Sequence, residues 1–435
     1  MGTTLSKTPE SRMSTLARGI KKNASLVVQG LEERGLQEPS YHANGHAEFP
    51  VARVDKATLD ARERLLDLTG ELRDITFGPR ETLKELAWNT VSYIALQAIL
   101  EFRIAEAVPR EGRVTYTALT KKVQELSGVP ILMPDLRRLV RQAMTNNIFV
   151  EPTPGLVAHN KASLLFLDDK VMASWVGMFT MDLFIPVANT VAAMKKWPCS
   201  ELPHQTGLNV TFDHSLSFFQ HLAQGGAHAQ RYDDAMRAQI QSEGQNVSHT
   251  VSSYPWKKLG HVTMVDIGGN EGFVSVAIAK EAPAMSFIVQ DLEGMRNDEM
   301  KKRIPAEMAS RITLTVHDFF TPQPVVADVY FLRHILHAFN DELATQVLRA
   351  LISSLRKGAR IIVNDFVLPV PGTLSRMEEK HMRTIDVLMR TVCNSREREE
   401  EEWKNLFALA DSRFKWERAW QSSGRLWFIE VIWEG

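Results

Sequence analysis

"VDIGGNEGFVSVAIAK", residues 265–280, sets a short apolar run against a glycine turn and then a helical pattern that opens as soon as the turn closes. A buried strand feeding a helix through glycines is the first unit of a doubly wound α/β sheet, where ligands bind at the carboxyl ends of the strands. The glycines fall at Gly268, Gly269 and Gly272. A dinucleotide fingerprint requires glycine at the third position of the turn, where Asn270 stands, and no Gly-Lys-Ser/Thr follows to make a phosphate loop. The turn therefore suits a nucleoside without phosphates. Asp291 closes the next apolar run 22 positions after Gly269, well placed to accept hydrogen bonds from ribose hydroxyls.

The rest of the C-terminal half extends this reading. "HVTMVDIGG", "MSFIVQD", "ITLTVHD", "ADVYFLRH" and "ARIIVND" are short apolar runs separated by helical stretches, the pattern of a parallel sheet covered on both faces. "NDELATQVLRALISSLRKG" is a helix, with Asn340 or Asp341 as cap, a stripe of Leu343, Val347, Leu351 and Leu355, and Gly358 beyond its end. "WERAWQSSGRLWFIEVIWEG" reads as a hairpin that adds a terminal antiparallel strand.

Upstream, residues 166–250 are helical and rich in Met, Phe and Trp, which suits either a core or an irregular apolar pocket. "TYTALTKKVQEL", "PDLRRLVRQAMTNN" and "IFVEPTPGLVAH" form helix, helix and hairpin, a winged helix. Helical patterns cover 56–75 and 80–106, the second with Leu83, Leu86, Val91, Ile94 and Ile99 near helical period; both are expected to be packing helices, with 86–100 a core helix. Residues 1–50 are polar, and the stretch 39–50 is an irregular arm. The expected organisation is a helical and winged-helix domain over 1–165, connecting helices over 166–250 that line a pocket, and a Rossmann-like α/β domain over 251–435.

Composition narrows the function. Over 435 residues the net charge is −1, with 44% hydrophobic and 24% charged residues. A winged helix raises DNA binding, with Arg137, Arg138 and Arg141 on the recognition helix, but a near-neutral chain lacks the phosphate contacts that supply most DNA affinity. No nucleic-acid or membrane partner is expected. Cys199 and Cys393 have no metal-ligand spacing, no metal is expected, and "MGTTLSKTPESRMSTLARGIKK" lacks the apolar core of a signal peptide, so a reducing, cytoplasmic setting follows. Gly2 with a serine at the sixth position forms a short myristoylation pattern.

Four motifs in order, "VDIGGNEG", "VQD", "HDFF" and "LRHILHAFND", resemble the class I S-adenosylmethionine-dependent O-methyltransferases of the caffeic-acid type, in their fungal secondary-metabolism branch. The resemblance runs over nearly the whole chain. It implies S-adenosyl-L-methionine as cofactor, with Gly268, Gly269 and Gly272 at its methionine part, Asp291 at the ribose, Asp318 and Phe319 at the adenine, Asp266 and Leu292 also in the cofactor site, and Arg333 where many relatives carry lysine near the adenine. It implies His337 as general base, oriented by Asp365 and Glu397. His337-Ala338-Phe339 departs from the family's His-Asp-Trp or His-Asn-Trp, and aspartate stands at 365 where glutamate is usual. The resemblance also implies a homodimer and a small aromatic or polyketide-derived substrate. His159, Trp175, Met178, Phe179, Phe184, Tyr232 and Met236 are candidate pocket residues. Two other outcomes stay open on these residues. One is dehydration or pericyclic ring formation with the cofactor retained, as in some proteins resembling this family; the other is a silent, cofactor-holding dimer.

Overall fold

The computed structural model describes residues 10–292 and 304–435; the Gly2 pattern lies outside them. The chain divides into two compact units, one running to Met181 and including Leu374–Glu378, the other made of Asp182–Thr373 and Glu379–Gly435. Residues 166–250 fall on both sides of that division.

The first unit corrects two expectations. Residues 12–32, read as part of a polar segment without a core, form a 21-residue helix, Arg12–Glu32, whose first turn is capped by Ser11 accepting from the Ser14 N–H. It packs along the helix Lys56–Phe77, with Leu16 fully buried between them. A Cβ on Gly30 would lie 2.1 Å from Thr58 Oγ1, so glycine is what lets the two backbones approach. Its apolar residues are interrupted by Arg18, Lys21, Lys22 and Asn23, which concealed this helix in the sequence. The third helix, Pro79–Glu101, forms where expected but is no core helix: only Ala95, Ala98 and Ile99 are buried. Leu83, Leu86, Trp88 and Val91 are 52–73% exposed in the single chain, and Ile94 is exposed as well. Periodicity marks an apolar face; it does not say what covers it.

The winged helix is present. Strand β1 (Val114–Thr115) precedes helices Tyr116–Ser127 and Met133–Met144, and strands β2 (Val150–Thr153) and β3 (Leu156–Ala158) complete a sheet ordered β1-β3-β2. Leu119, Val123, Leu136, Val140, Phe149 and Val157 are its core. Arg141 is engaged within the unit, its guanidinium bonding Glu151 at 2.8 and 3.0 Å. Together with the Gly155 N–H and the Tyr116 hydroxyl, Arg141 holds the Glu151 carboxyl down to about 2. Arg138 stands 3.5 Å from Asp135. Two of the three arginines weighed for DNA thus lie against acids of their own unit.

The second unit holds a seven-stranded sheet. Its strands are β4 (Thr263–Ile267), β5 (Ser286–Asp291), β6 (Ile312–Val316), β7 (Val329–Arg333), β8 (Arg360–Asp365), β11 (Phe414–Gln421) and β12 (Trp427–Trp433), in the order β11-β12-β8-β7-β4-β5-β6. The five from β8 to β6 are parallel, and β12 inserts antiparallel between β11 and β8. Both faces are covered, so the strands alternate between two cores. Val265, Ile267, Tyr330 and Leu332 pack with Leu348, Trp403 and Phe407, whereas Met264, Phe287, Val289 and Phe331 pack with Trp256, Ile278 and Phe428. Trp256 is 2% exposed and donates its indole N–H to the Thr250 carbonyl at 3.0 Å. Replacing it with alanine is expected to destabilise this unit by about 3–5 kcal/mol through the cavity left behind, measured as a lowered denaturant midpoint. A small parallel pair, β9 (Val367–Leu368) with β10 (Arg398–Glu399), ties the segment around 397 to the end of β8.

Candidate active site

His337 is presented by one tight turn. Strand β7 ends at Arg333, His334 takes a left-handed backbone at φ 55°, and a 3₁₀ turn over Leu336–Ala338 carries the imidazole. Arg398, wholly buried, fixes that turn by donating to the carbonyls of Leu336 and Phe339 at 2.9 and 2.8 Å and to Asp341. Ser395 Oγ donates to the His337 carbonyl at 2.8 Å, so the segment preceding β10 is tied to the same turn. Glu397, inside that segment and 1% exposed, takes the hydrogen bond of His337 Nδ1 at 2.8 Å. Asp365, at the end of β8 and fully buried, stands 3.7 Å from the same nitrogen and receives the His337 backbone N–H at 3.4 Å. The three residues expected at the reaction centre are brought together, with Glu397 as the direct partner and the shorter Asp365 one step removed.

Burial disfavours the imidazolium, but the Asp365 and Glu397 carboxylates outweigh it and raise the His337 pKa to about 9. Burial in turn raises both carboxyls, opposed by the imidazole. The neighbourhood therefore stabilises a positive charge on this ring. The ring can serve as a base only in its neutral form, and the same carboxylates stabilise the imidazolium that forms when it takes a proton.

The glycine turn lies at the carboxyl end of β4. Gly268 and Gly272 have φ of 66° and 75°, and a Cβ on Gly268 would lie 2.4 Å from Ile335 Cδ1. A Cβ on Gly269 would lie 2.6 Å from Asp266 Cγ and 2.7 Å from Val289 Cγ1. The turn is thus bare backbone packed onto its strand. Asp266 braces it from below: the carboxyl is buried, accepts from Ser275 Oγ at 2.6 Å, and is raised to about 6 by burial. Asp291 accepts from the Asn270 N–H at 2.8 Å through one oxygen and from the Leu292 N–H at 2.8 Å through the other. Leu292 is 48% exposed. Asp318, also exposed, accepts from the Phe320 N–H, and Phe319 packs against Phe320 and Phe339 to form an apolar edge suited to a purine. Arg333 donates to the Gln245 carbonyl at 2.9 Å while its buried Nε has no hydrogen-bond partner among the described residues; burial lowers its pKa to about 10. These residues fit a neutral purine nucleoside with an amino-acid tail.

Sequence reasoning missed one anchor of this turn. Glu271 is buried and pairs with Arg237 of the helix Ala227–Gln241 at 2.7 Å, joining the turn to the preceding helical region. An acid inside a glycine turn was the available signal, but its partner lies 34 positions away.

The candidate pocket residues separate. Trp175, Met178 and Phe179 belong to the first unit, where Trp175 and Phe179 meet edge to face at 5.1 Å. Phe184, Tyr232 and Met236 are half-buried in the second, where Tyr232 meets Phe218 edge to face at 5.4 Å. Burial pushes the Tyr232 hydroxyl up, so the phenol stays neutral. His159 is a correction. It is 6% exposed, with Nδ1 2.9 Å from Ser163 Oγ and Nε2 3.1 and 3.2 Å from the carbonyls of Ala105 and Val108. Both nitrogens are occupied inside the first unit, and the ring acts as a fastener there.

A parallel sheet with a phosphate-free nucleoside turn and a buried imidazole–carboxylate pair at its carboxyl edge defines a class I methyltransferase. The O-methyltransferase domain family matches residues 204–412. O-methyltransferase pyvH of Aspergillus violaceofuscus is 35% identical, with 98% of this chain and 99% of that protein covered. The chlorophenol O-methyltransferase of Trichoderma longibrachiatum is 34% identical, covering 98% and 91%. Among solved structures, OxaC has a TM-score of 0.74 at 20% identity, covering 96% of this chain and all of that one. A protein described as a pericyclic reaction enzyme reaches 0.73 at 16% identity over 96% and 100%, a likeness of fold alone. The chain belongs to the O-methyltransferase family, and it is an S-adenosylmethionine-dependent O-methyltransferase. Among the described residues no helix is long and apolar enough to cross a membrane.

Proposed function

We propose that the protein methylates a hydroxyl of a small aromatic or polyketide-derived substrate, with His337 as the general base. The observation that carries this is the 2.8 Å contact between His337 Nδ1 and the buried Glu397. That bond fixes the tautomer, leaving Nε2 to take the substrate proton, and Asp365 supports the charge that then forms on the ring. Gly268, Gly269, Gly272 and Asp291 hold the cofactor, with Asp318, Phe319 and Arg333 at its base. When bound, S-adenosylmethionine supplies an electrophilic methyl group. The chain's own part is to orient the acceptor oxygen and remove its proton. A phenol is the class favoured by the chlorophenol-acting relative. Cyclisation without methyl transfer has no observation in its favour, because the histidine and both acids are in place. The purified protein incubated with S-adenosylmethionine and a panel of phenols and polyketide alcohols is expected to release S-adenosylhomocysteine with a product heavier by one methylene. A product isomerised or dehydrated with the cofactor intact would reverse the conclusion.

The protein acts, on this reading, as a homodimer formed through the helix Pro79–Glu101. Leu83, Leu86, Trp88 and Val91 are each more than half exposed on that one helix, more apolar surface than a monomer leaves in water without a partner. Sedimentation is expected to give a dimer, and the double substitution Leu83→Glu with Trp88→Glu a monomer; a monomeric native protein at micromolar concentration would exclude this interface.

A further inference from the structure

His334 has no part in the mechanism above, yet its setting is unusual. Its backbone is left-handed, and both ring nitrogens are buried without a hydrogen-bond partner among the described residues. Buried polar atoms are normally satisfied, and an unsatisfied imidazole pointed at other ligand-type groups marks a site that something completes. The His334 ring lies 5.3 Å from that of His337, centre to centre. His334 Nδ1 is 3.8 Å from Asp365 Oδ1, and His337 Nδ1 is 3.7 Å from that same oxygen. One donor atom from each of the three residues lies within 4.8 Å of the others. Donors so spaced surround a point roughly 2.4 Å from each, so bonds of about 2.0–2.2 Å to a metal require shifts of a few tenths of an ångström.

We propose that His334, His337 and Asp365 form a site for one divalent transition-metal ion of the zinc class, and that an ion bound there withdraws His337 from proton transfer. Glu397 Oε1, 2.8 Å from His337 Nδ1, is close enough to supply a fourth donor. Two imidazoles with carboxylate oxygens suit zinc or cobalt, whereas magnesium prefers an all-oxygen shell with retained waters. Coordination forms dative bonds from two ring nitrogens and the carboxylate oxygens, and the proton displaced from His337 leaves to solvent. The two carboxylates then balance the ion's two positive charges, which is what burial of such a group requires. Binding follows from this geometry alone; the inhibitory consequence rests on the assignment of His337 as base.

Cobalt titrated into the full-length, chelator-treated protein tests the site. One ion per chain is expected, with the visible absorption of low-symmetry cobalt. His334→Asn keeps a side chain that tolerates the left-handed backbone but is a weak metal ligand. It is expected to bind cobalt at least tenfold more weakly at an unchanged melting temperature. Zinc is expected to inhibit native turnover, reversibly by chelator and without effect from magnesium, and the turnover that remains in His334→Asn to resist zinc. The histidine cluster with His214 Nε2 3.0 Å from His221 Nδ1 provides the control. Cobalt bands that survive in His334→Asn and vanish in His221→Gln would place the ion elsewhere and overturn the proposal, as would the lack of any stoichiometric binding. Binding that depends on His334 but leaves turnover unchanged would overturn the inhibitory half and, with it, the role of His337.

Discussion

Replacing His337 with alanine is expected to lower kcat for methyl transfer by roughly 10²–10⁴-fold, the usual contribution of a positioned general base. Binding of S-adenosylhomocysteine should be unchanged, because the glycine turn and Asp291 are separate from the imidazole–carboxylate pair. The pH profile carries the sharper test. Only neutral imidazole can accept the proton, and the free protein holds the imidazolium up to a pKa of about 9. Thus kcat/KM should rise with pH and level off above about 9. Glu397→Gln removes one of the two negative charges that raise this pKa, so the limb should move to lower pH while kcat falls. Unchanged turnover in His337→Ala would remove the base, and an unmoved limb in Glu397→Gln would remove the electrostatic coupling between the two residues.

Asp291→Ala is expected to weaken S-adenosylhomocysteine binding by on the order of 100-fold, as the loss of charge-assisted hydrogen bonds worth about 1.5–3 kcal/mol implies. Two effects combine here. The ribose loses its acceptor, and the Asn270 N–H loses the carboxylate that holds the glycine turn at 2.8 Å. Titration calorimetry separates them when Asp291→Asn is included, since the amide keeps an oxygen for the Asn270 N–H but loses the charge. Native affinity in Asp291→Ala would discredit the ribose assignment.

The reaction centre was legible in part. "LRHILHAFND" and "IIVNDFVLP" are contiguous motifs at strand ends, and a strand end fixes where its next residues emerge. Glu397 lies in the acidic run "REREEEE", where charge pattern gives no register. What selects it is Arg398, which binds the carbonyls of the His337 turn from the next position along the chain. Arg237 as partner of Glu271, and His334 as a neighbour of Asp365, likewise depend on approaches between segments far apart in sequence.

Local pattern alone determined the parallel sheet, the terminal antiparallel strand, the winged helix and the nature of the cofactor turn. Each depends on alternation, turn chemistry or glycine placement within a few residues, and such signals survive without tertiary context. Tertiary structure decided which apolar faces are covered and which polar groups meet. Of the stripe read as core on Pro79–Glu101, Leu83, Leu86, Val91 and Ile94 are exposed and Ile99 alone is buried, while the helix Arg12–Glu32, read as part of a polar segment, buries Leu16 completely. His159, chemically able to line a pocket, is consumed by Ser163 and two carbonyls. Burial and pairing are properties of approach between distant segments, and a one-dimensional pattern constrains those approaches only weakly.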